Sequence, residues 1–152
     1  MTKTGCKFCQ IVTGELSAEV VFADAATLAF LDYRPWRLGH CLVIPKVHYE
    51  TLLDVPREEL AGLFATVQLI GRAMEAGLGA EGSFVAINNR ISQSVPHVHV
   101  HVVPRRRKDG LKGFFWPREA YSSPEEQQRY ASLLREAIER LRASEAPAAP
   151  GR

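Results

Sequence analysis

Three of the five histidines stand at alternate positions in His97-Val98-His99-Val100-His101-Val102-Val103. Successive side chains of an extended strand point to opposite faces. This spacing therefore puts all three imidazoles on one side and Val98, Val100 and Val102 on the other, toward a core. A helix would scatter the rings around its circumference. Imidazole titrates near neutral pH and its neutral form carries a free lone pair, so an aligned row can supply a base, an acid, a nucleophile or metal ligands. A merely solvated polar face would leave the valine alternation and the flanking Gln93-Ser94 without a reason. The second chemical feature is Cys6-Lys7-Phe8-Cys9. Two thiolates at that spacing suit zinc or a redox pair. A thioredoxin-like redox motif needs a preceding strand and a βαβ unit, and the five residues before Cys6 hold neither. Two free thiols packed under a sheet are the plain alternative. Cys41 lies in an apolar run and reads as a small buried hydrophobe.

The elements that must position these groups follow from periodicity. Strands are expected at Val20 to Ala23, Thr27 to Leu31, His40 to Ile44, Phe84 to Asn88 and His97 to Val103. Two helices are expected. Residues 56 to 76 place Leu60, Leu63, Phe64, Val67, Ile70 and Met74 on one stripe, with Gly77 and Gly79 able to end it. Residues 124 to 142 place Tyr130, Leu133, Leu134, Ala137, Ile138 and Leu141 on another, opened by Ser123-Pro124-Glu125-Glu126. Strands and helices do not alternate, so an α+β domain with a largely antiparallel five-stranded sheet and two main helices fits best. The 152 residues suit one domain that buries roughly 70% of its unfolded surface without disulfides. That domain is expected over 1–143, with a disordered Ala/Pro-rich tail at 144–152. Hydrophobic residues at 46% and charged ones at 24% exclude collagen-like, coiled-coil and mostly disordered chains. A net charge of +2 argues against a general nucleic-acid coat. No apolar run reaches the roughly 20 residues of a membrane span, and the polar start MTKTGCKFCQ lacks a signal-peptide core, so a cytoplasmic protein is expected.

The triplet with its surroundings resembles the histidine triad superfamily. The likeness extends to Gln93-Ser94-Val95-Pro96 before it and Pro104-Arg105 after it, to Gly39-His40-Cys41-Leu42-Val43-Ile44-Pro45-Lys46-Val47-His48, and to the opening segment Cys6 to Glu15. It covers residues 6 to 105. The resemblance implies a homodimer and a purine nucleotide or dinucleotide as substrate. It implies that His99 attacks the α-phosphorus and carries the nucleotidyl group until water removes it. His101 would contact the phosphate and leaving-group side, His97 would orient the nucleophile, and His40 would pack beside them. Gln93 and Ser94 match positions that bond the scissile bridge and phosphate, and Asn88 or Asn89 a phosphate-binding position. Asp32 matches the acid that grips both ribose hydroxyls. Phe8, Ile11 and Phe30 match the base pocket, while Tyr33 departs from the smaller aliphatic residue of many relatives. In the related galactose-1-phosphate uridylyltransferases similar cysteine pairs join two histidines on zinc. Carried over, the ligands are Cys6, Cys9, His48 and His97, closing a tetrahedral structural site.

After the triad, Arg105-Arg106-Arg107-Lys108 and the aromatics up to Arg118 form either a solvated loop or a contact for the leaving half of a polyanionic substrate. The second option leans toward dinucleoside polyphosphates rather than phosphoramidates. Three functions follow from the residues and the likeness together: a nucleotide hydrolase working through nucleotidyl-His99, a nucleotidyltransferase using the same intermediate, and a nucleotide-binding regulatory module with little turnover. A metal carrier using the triad as ligands would leave Asp32 and Gln93 without a role.

Overall fold

The computed structural model describes residues 1–110 and 120–145. These fall into two units, Met1–Leu111 and Lys112–Arg152. In chain order the first holds α1 (Lys7–Thr13), β1 (Val20–Ala23), β2 (Thr27–Leu31), β3 (Cys41–Pro45), a short 3-10 turn (Leu52–Asp54), α2 (Arg57–Leu78), β4 (Gly82–Ile87) and β5 (Val100–Arg105). The second holds α3 (Pro124–Glu145). The five strands form one antiparallel sheet in the order β1-β2-β3-β5-β4. The α+β class and the five-stranded sheet are as the sequence implies. Among the described residues no helix is long and apolar enough to cross a membrane.

The two faces of the sheet do different work. Ala29, Cys41, Val43, Val100 and Val102 pack against Leu63, Val67, Ile70 and Met74 of α2. Each such valine contributes roughly 1.5–3 kcal/mol on burial. The buried face of α2 runs through Leu63, Thr66, Val67, Ile70 and Met74. Phe64, expected on it, is 41% exposed, because one residue beyond Leu63 turns the side chain about 100° off the contact line. Gly79 ends α2 at φ 62, a left-handed cap that a side chain would strain.

The opposite face carries Leu28, Phe30, Leu42 and Ile44 under Cys6, Phe8 and Cys9 of the α1 segment. Helix α1 has no counterpart among the elements expected from periodicity, since two turns are too short to show a stripe. Gly14 closes it at φ 80. Through it the cysteine pair and Phe8 are laid across the sheet.

Strand β5 starts at Val100, later than expected. Its ladder with β3 ends at Val43 and Val100. Beyond that point Pro45 has no N–H to donate, and Val98 N–H bonds Tyr49 O instead at 2.7 Å. His97 to His99 thus lead into the strand rather than belonging to it.

In the second unit the Ser123 hydroxyl accepts from Glu126 N–H at 3.2 Å, which is the expected helix start. Tyr130 and Leu133 of the expected stripe are half exposed. Leu134, Ala137, Ile138 and Leu141 lie outside the described side chains, as does the segment 111–119. Helix α3 runs through Glu145, so Ser144 and Glu145, assigned to the tail by the sequence, are helical; 146–152 lie outside the described residues.

Candidate functional site

Sheet register sets the site. Leu42 pairs with His101, so His40, two residues earlier on the same face, lies diagonally beside it. His40 Nε2 and His101 Nδ1 are 3.0 Å apart. The Trp36 backbone N–H donates to His40 Nδ1 at 3.2 Å. That atom must therefore hold a lone pair, which places the His40 proton on Nε2. His40 then donates to His101 Nδ1, and the proton of neutral His101 sits on Nε2. The Trp36 amide and the two imidazoles form a row of fixed direction, ending in an N–H donor. Burial pushes His101 down to about 4 and also lowers His40, so both are neutral at pH 7.

His99 is fixed independently. Its Nδ1 donates to the backbone carbonyl of His97 at 2.7 Å, leaving a lone pair on Nε2. Burial lowers this imidazole as well, and it is 3% exposed. The His99 and His101 rings are 5.0 Å apart and nearly edge to face. The Phe8 ring stands edge-on to His99 at 5.2 Å and to Phe30 at 5.4 Å, while Ile11 packs half-buried at the margin of the same cluster. Asp32 lies half-buried at the neck of the β2–β3 loop, where its N–H bonds His40 O at 2.9 Å. One carboxylate oxygen accepts Arg34 N–H at 2.9 Å and the other is 3.7 Å from His40 Nδ1.

The first imidazole faces elsewhere. His97 Nε2 donates to Pro45 O at 2.8 Å, so its Nδ1 lone pair points at two sulfurs, Cys6 Sγ and Cys9 Sγ, each 3.6 Å away. His48 Nδ1 lies 3.4 Å from Cys9 Sγ. One donor atom from each of Cys6, Cys9, His48 and His97 falls within 4.8 Å of all the others. Zn–S near 2.3 Å and Zn–N near 2.0–2.1 Å at tetrahedral angles space S and N about 3.6 Å apart. The observed 3.4 and 3.6 Å fit that figure. Burial holds His97 down to about 4, lowers His48 and raises the Cys9 thiol, while His48 Nε2 is buried without a partner among the described residues. The donor set and its spacing suit a zinc ion. His97 holds His99 through its main-chain carbonyl, and its ring lies with the cysteines.

Other residues singled out by sequence have separate duties. The Gln93 amide braces its loop: its oxygen accepts Arg90 N–H at 2.7 Å and its nitrogen donates to Glu50 O at 2.5 Å. Asn89 Oδ1 accepts Leu52 N–H, tying the loop to the 3-10 turn, and Asn88 is half-buried after β4. Ser94 is exposed and lines a cavity of about 280 Å³ with Cys6 and His48. A larger cavity of about 420 Å³, lined by residues including Arg37, Leu78 and Arg106, lies toward the end of α2. The two flank the histidine row without including His99. Cys41 is buried and its thiol is pushed up to about 11, in keeping with an inert core position. In the basic run Arg105 pairs with Asp109 and Arg106 bonds Leu78 O, while the Arg107 guanidinium is 91% exposed, 3.8 Å from Glu81. The loop contact expected up to Arg118 lies largely outside the described residues.

Trp36 went unnoticed in the sequence. Its indole stacks on His101 at 4.6 Å and 16°, and on His40 at 4.8 Å. A tryptophan amid Pro, Arg and Gly in a loop has no periodic signature to mark it.

Comparison with known proteins places the fold in a family. The family description "HIT domain" matches residues 13–108. An uncharacterized HIT-like protein of Mycobacterium tuberculosis is 40% identical over 138 residues, 88% of this chain and 92% of that one. An adenosine 5'-monophosphoramidase of Schizosaccharomyces pombe is 38% identical, covering 80% and 89%. A solved zinc-bound histidine triad family protein from Mycobacterium smegmatis superposes with a TM-score of 0.68 at 42% identity, covering 93% and 98%.

Proposed function

The chain belongs to the HIT family, and from that premise we propose that it is a nucleotide hydrolase. On this reading it cleaves at the α-phosphorus of nucleoside phosphoramidates or dinucleoside polyphosphates. The observation that carries the reading is the His99 tautomer. Its Nδ1–H is held by the His97 carbonyl, so the Nε2 lone pair is permanently available. Attack by Nε2 forms a phosphorus–nitrogen bond as the leaving group departs, and water then displaces the imidazole. One difficult displacement becomes two easier ones. His101, whose Nε2 carries a proton, donates to a phosphoryl oxygen as charge builds there. Asp32 accepts the ribose hydroxyls, and Phe8 and Phe30 with Ile11 wall the base. Gln93 is read as bonding the scissile bridge through the second N–H of its amide, the first being held by Glu50 O.

Phosphoramidates are the favoured substrate class. The likeness to an adenosine 5'-monophosphoramidase supports this. A zinc ion held by Cys6, Cys9, His48 and His97 would be structural, cross-bracing α1 to the segment before β5. We also read the protein as a homodimer: β4 is an edge strand, and Val85 on it is exposed, as are Phe64 and Leu69 on α2.

The test uses adenosine phosphoramidate, diadenosine tetraphosphate and diadenosine triphosphate with wild type and His99→Ala. Turnover of the phosphoramidate, lost on substitution, supports the reading. Tight nucleotide binding with no turnover of any of the three overturns it in favour of a binding module. AMP passed to an acceptor other than water would identify a transferase.

A further inference from the structure

The direction of the His40–His101 row is not fixed by the histidines themselves. Two acceptor or donor groups compete at His40 Nδ1. The Trp36 backbone N–H lies 3.2 Å away and requires a lone pair there. The Asp32 carboxylate, 3.7 Å away, would instead draw a proton onto the same atom. If Asp32 prevailed, His40 Nε2 would become the acceptor, His101 Nδ1 the donor, and His101 Nε2 a lone pair. The end of the row facing substrate would change from an acid to a base.

We infer that Trp36 is the positioning residue that sets this direction: its indole, packed on both imidazoles, holds the His40 ring with Nδ1 toward the Trp36 backbone N–H and away from the Asp32 carboxylate. The indole lies flat on His101 at 16° and tilted on His40 at 31°, so neither ring can rotate without losing the stack. The side chain is 51% exposed, a large apolar group kept half in water, where it covers the two histidines. The Asp32 N–H to His40 O bond closes the loop neck and keeps the Trp36 amide within reach. Trp36 touches no reacting atom on this account and works through His101.

The tautomer assignment stands on geometry alone; its consequence for turnover rests on the hydrolase reading above. Long-range ¹⁵N–¹H imidazole spectra of the full chain, with His40→Gln and His101→Gln used for assignment, read it without any substrate. Wild type is expected to carry both protons on Nε2. In Trp36→Ala and Trp36→Leu, which keep the backbone N–H but free the His40 ring to turn toward Asp32, the His40 proton is expected to move to Nδ1 and His101 to lose its Nε2–H, whereas Trp36→Phe keeps an aromatic face on both rings and retains the wild-type pattern. Removing the competing carboxylate in Trp36→Leu/Asp32→Ala restores Nε2–H on His40. For adenosine phosphoramidate, Trp36→Leu lowers kcat on the order of tenfold with little change in KM, and Trp36→Phe recovers most of it. A His40 proton on Nδ1 in wild type overturns the inference, as does a wild-type tautomer pattern in Trp36→Leu even if kcat falls. An inactive wild type with the expected spectra would refute the hydrolase reading and leave this inference standing.

Discussion

Acidification from pH 7 to pH 4 measures how strongly the fold insists on a neutral His101. The ring is buried against Trp36, His40 and His99, and burial drops it from 6.5 to about 4. A folded value below the unfolded one means that the folded state favours the uncharged ring. The stabilisation is complete above pH 6.5 and is lost as pH falls through that value toward 4. A drop of this size corresponds to about 3 kcal/mol. Urea unfolding of wild type and His101→Asn across this range, both with zinc supplied equally, isolates the contribution. Wild type is expected to lose about 3 kcal/mol more than the variant between pH 7 and pH 4. Parallel curves for the two proteins would refute the claim that His101 is buried uncharged, and with it the direction assigned to the row.

Purified without chelator, the protein is expected to carry one zinc per chain by elemental analysis, and Cys9→Ser to lose it along with several degrees of melting temperature; near-zero zinc in wild type rejects the site. Asp32→Ala should raise KM for a ribonucleotide while leaving KM for the 2',3'-dideoxy analogue little changed, which steady-state kinetics on the two substrates will show. Ile44→Ala, at a fully buried position under α1, should cost 2–5 kcal/mol in urea unfolding without altering the zinc content.

The sequence speaks clearly where a feature repeats. Alternation of His and Val announced both faces of the strand at once, and Val100 and Val102 do fill the α2 side of the core. The α2 stripe was legible for the same reason, apart from Phe64 at its edge. What alternation could not show is where pairing stops. Pro45 ends the ladder with β3, and the His97 ring takes the carbonyl that Pro45 leaves open. One imidazole of the row is thereby handed to the cysteines. The four donors around that ring come from segments distant in the chain, and only the resemblance placed them together. Gln93 shows the opposite limit: a loop hydrogen bond to Glu50 O uses one N–H of its amide, and no local pattern announces such a bond. Trp36 was silent because stacking on two histidines depends on the path of a loop.

The most direct test of the central claim is to look for the nucleotide on His99. Wild-type protein is mixed with adenosine phosphoramidate, quenched within one turnover under alkaline conditions that preserve phosphorus–nitrogen bonds, digested and mapped by mass spectrometry. One nucleotidyl group is expected on His99 in the wild type and none on any residue in His99→Ala. Turnover at full rate in His99→Ala, or an adduct on a different side chain, would contradict it.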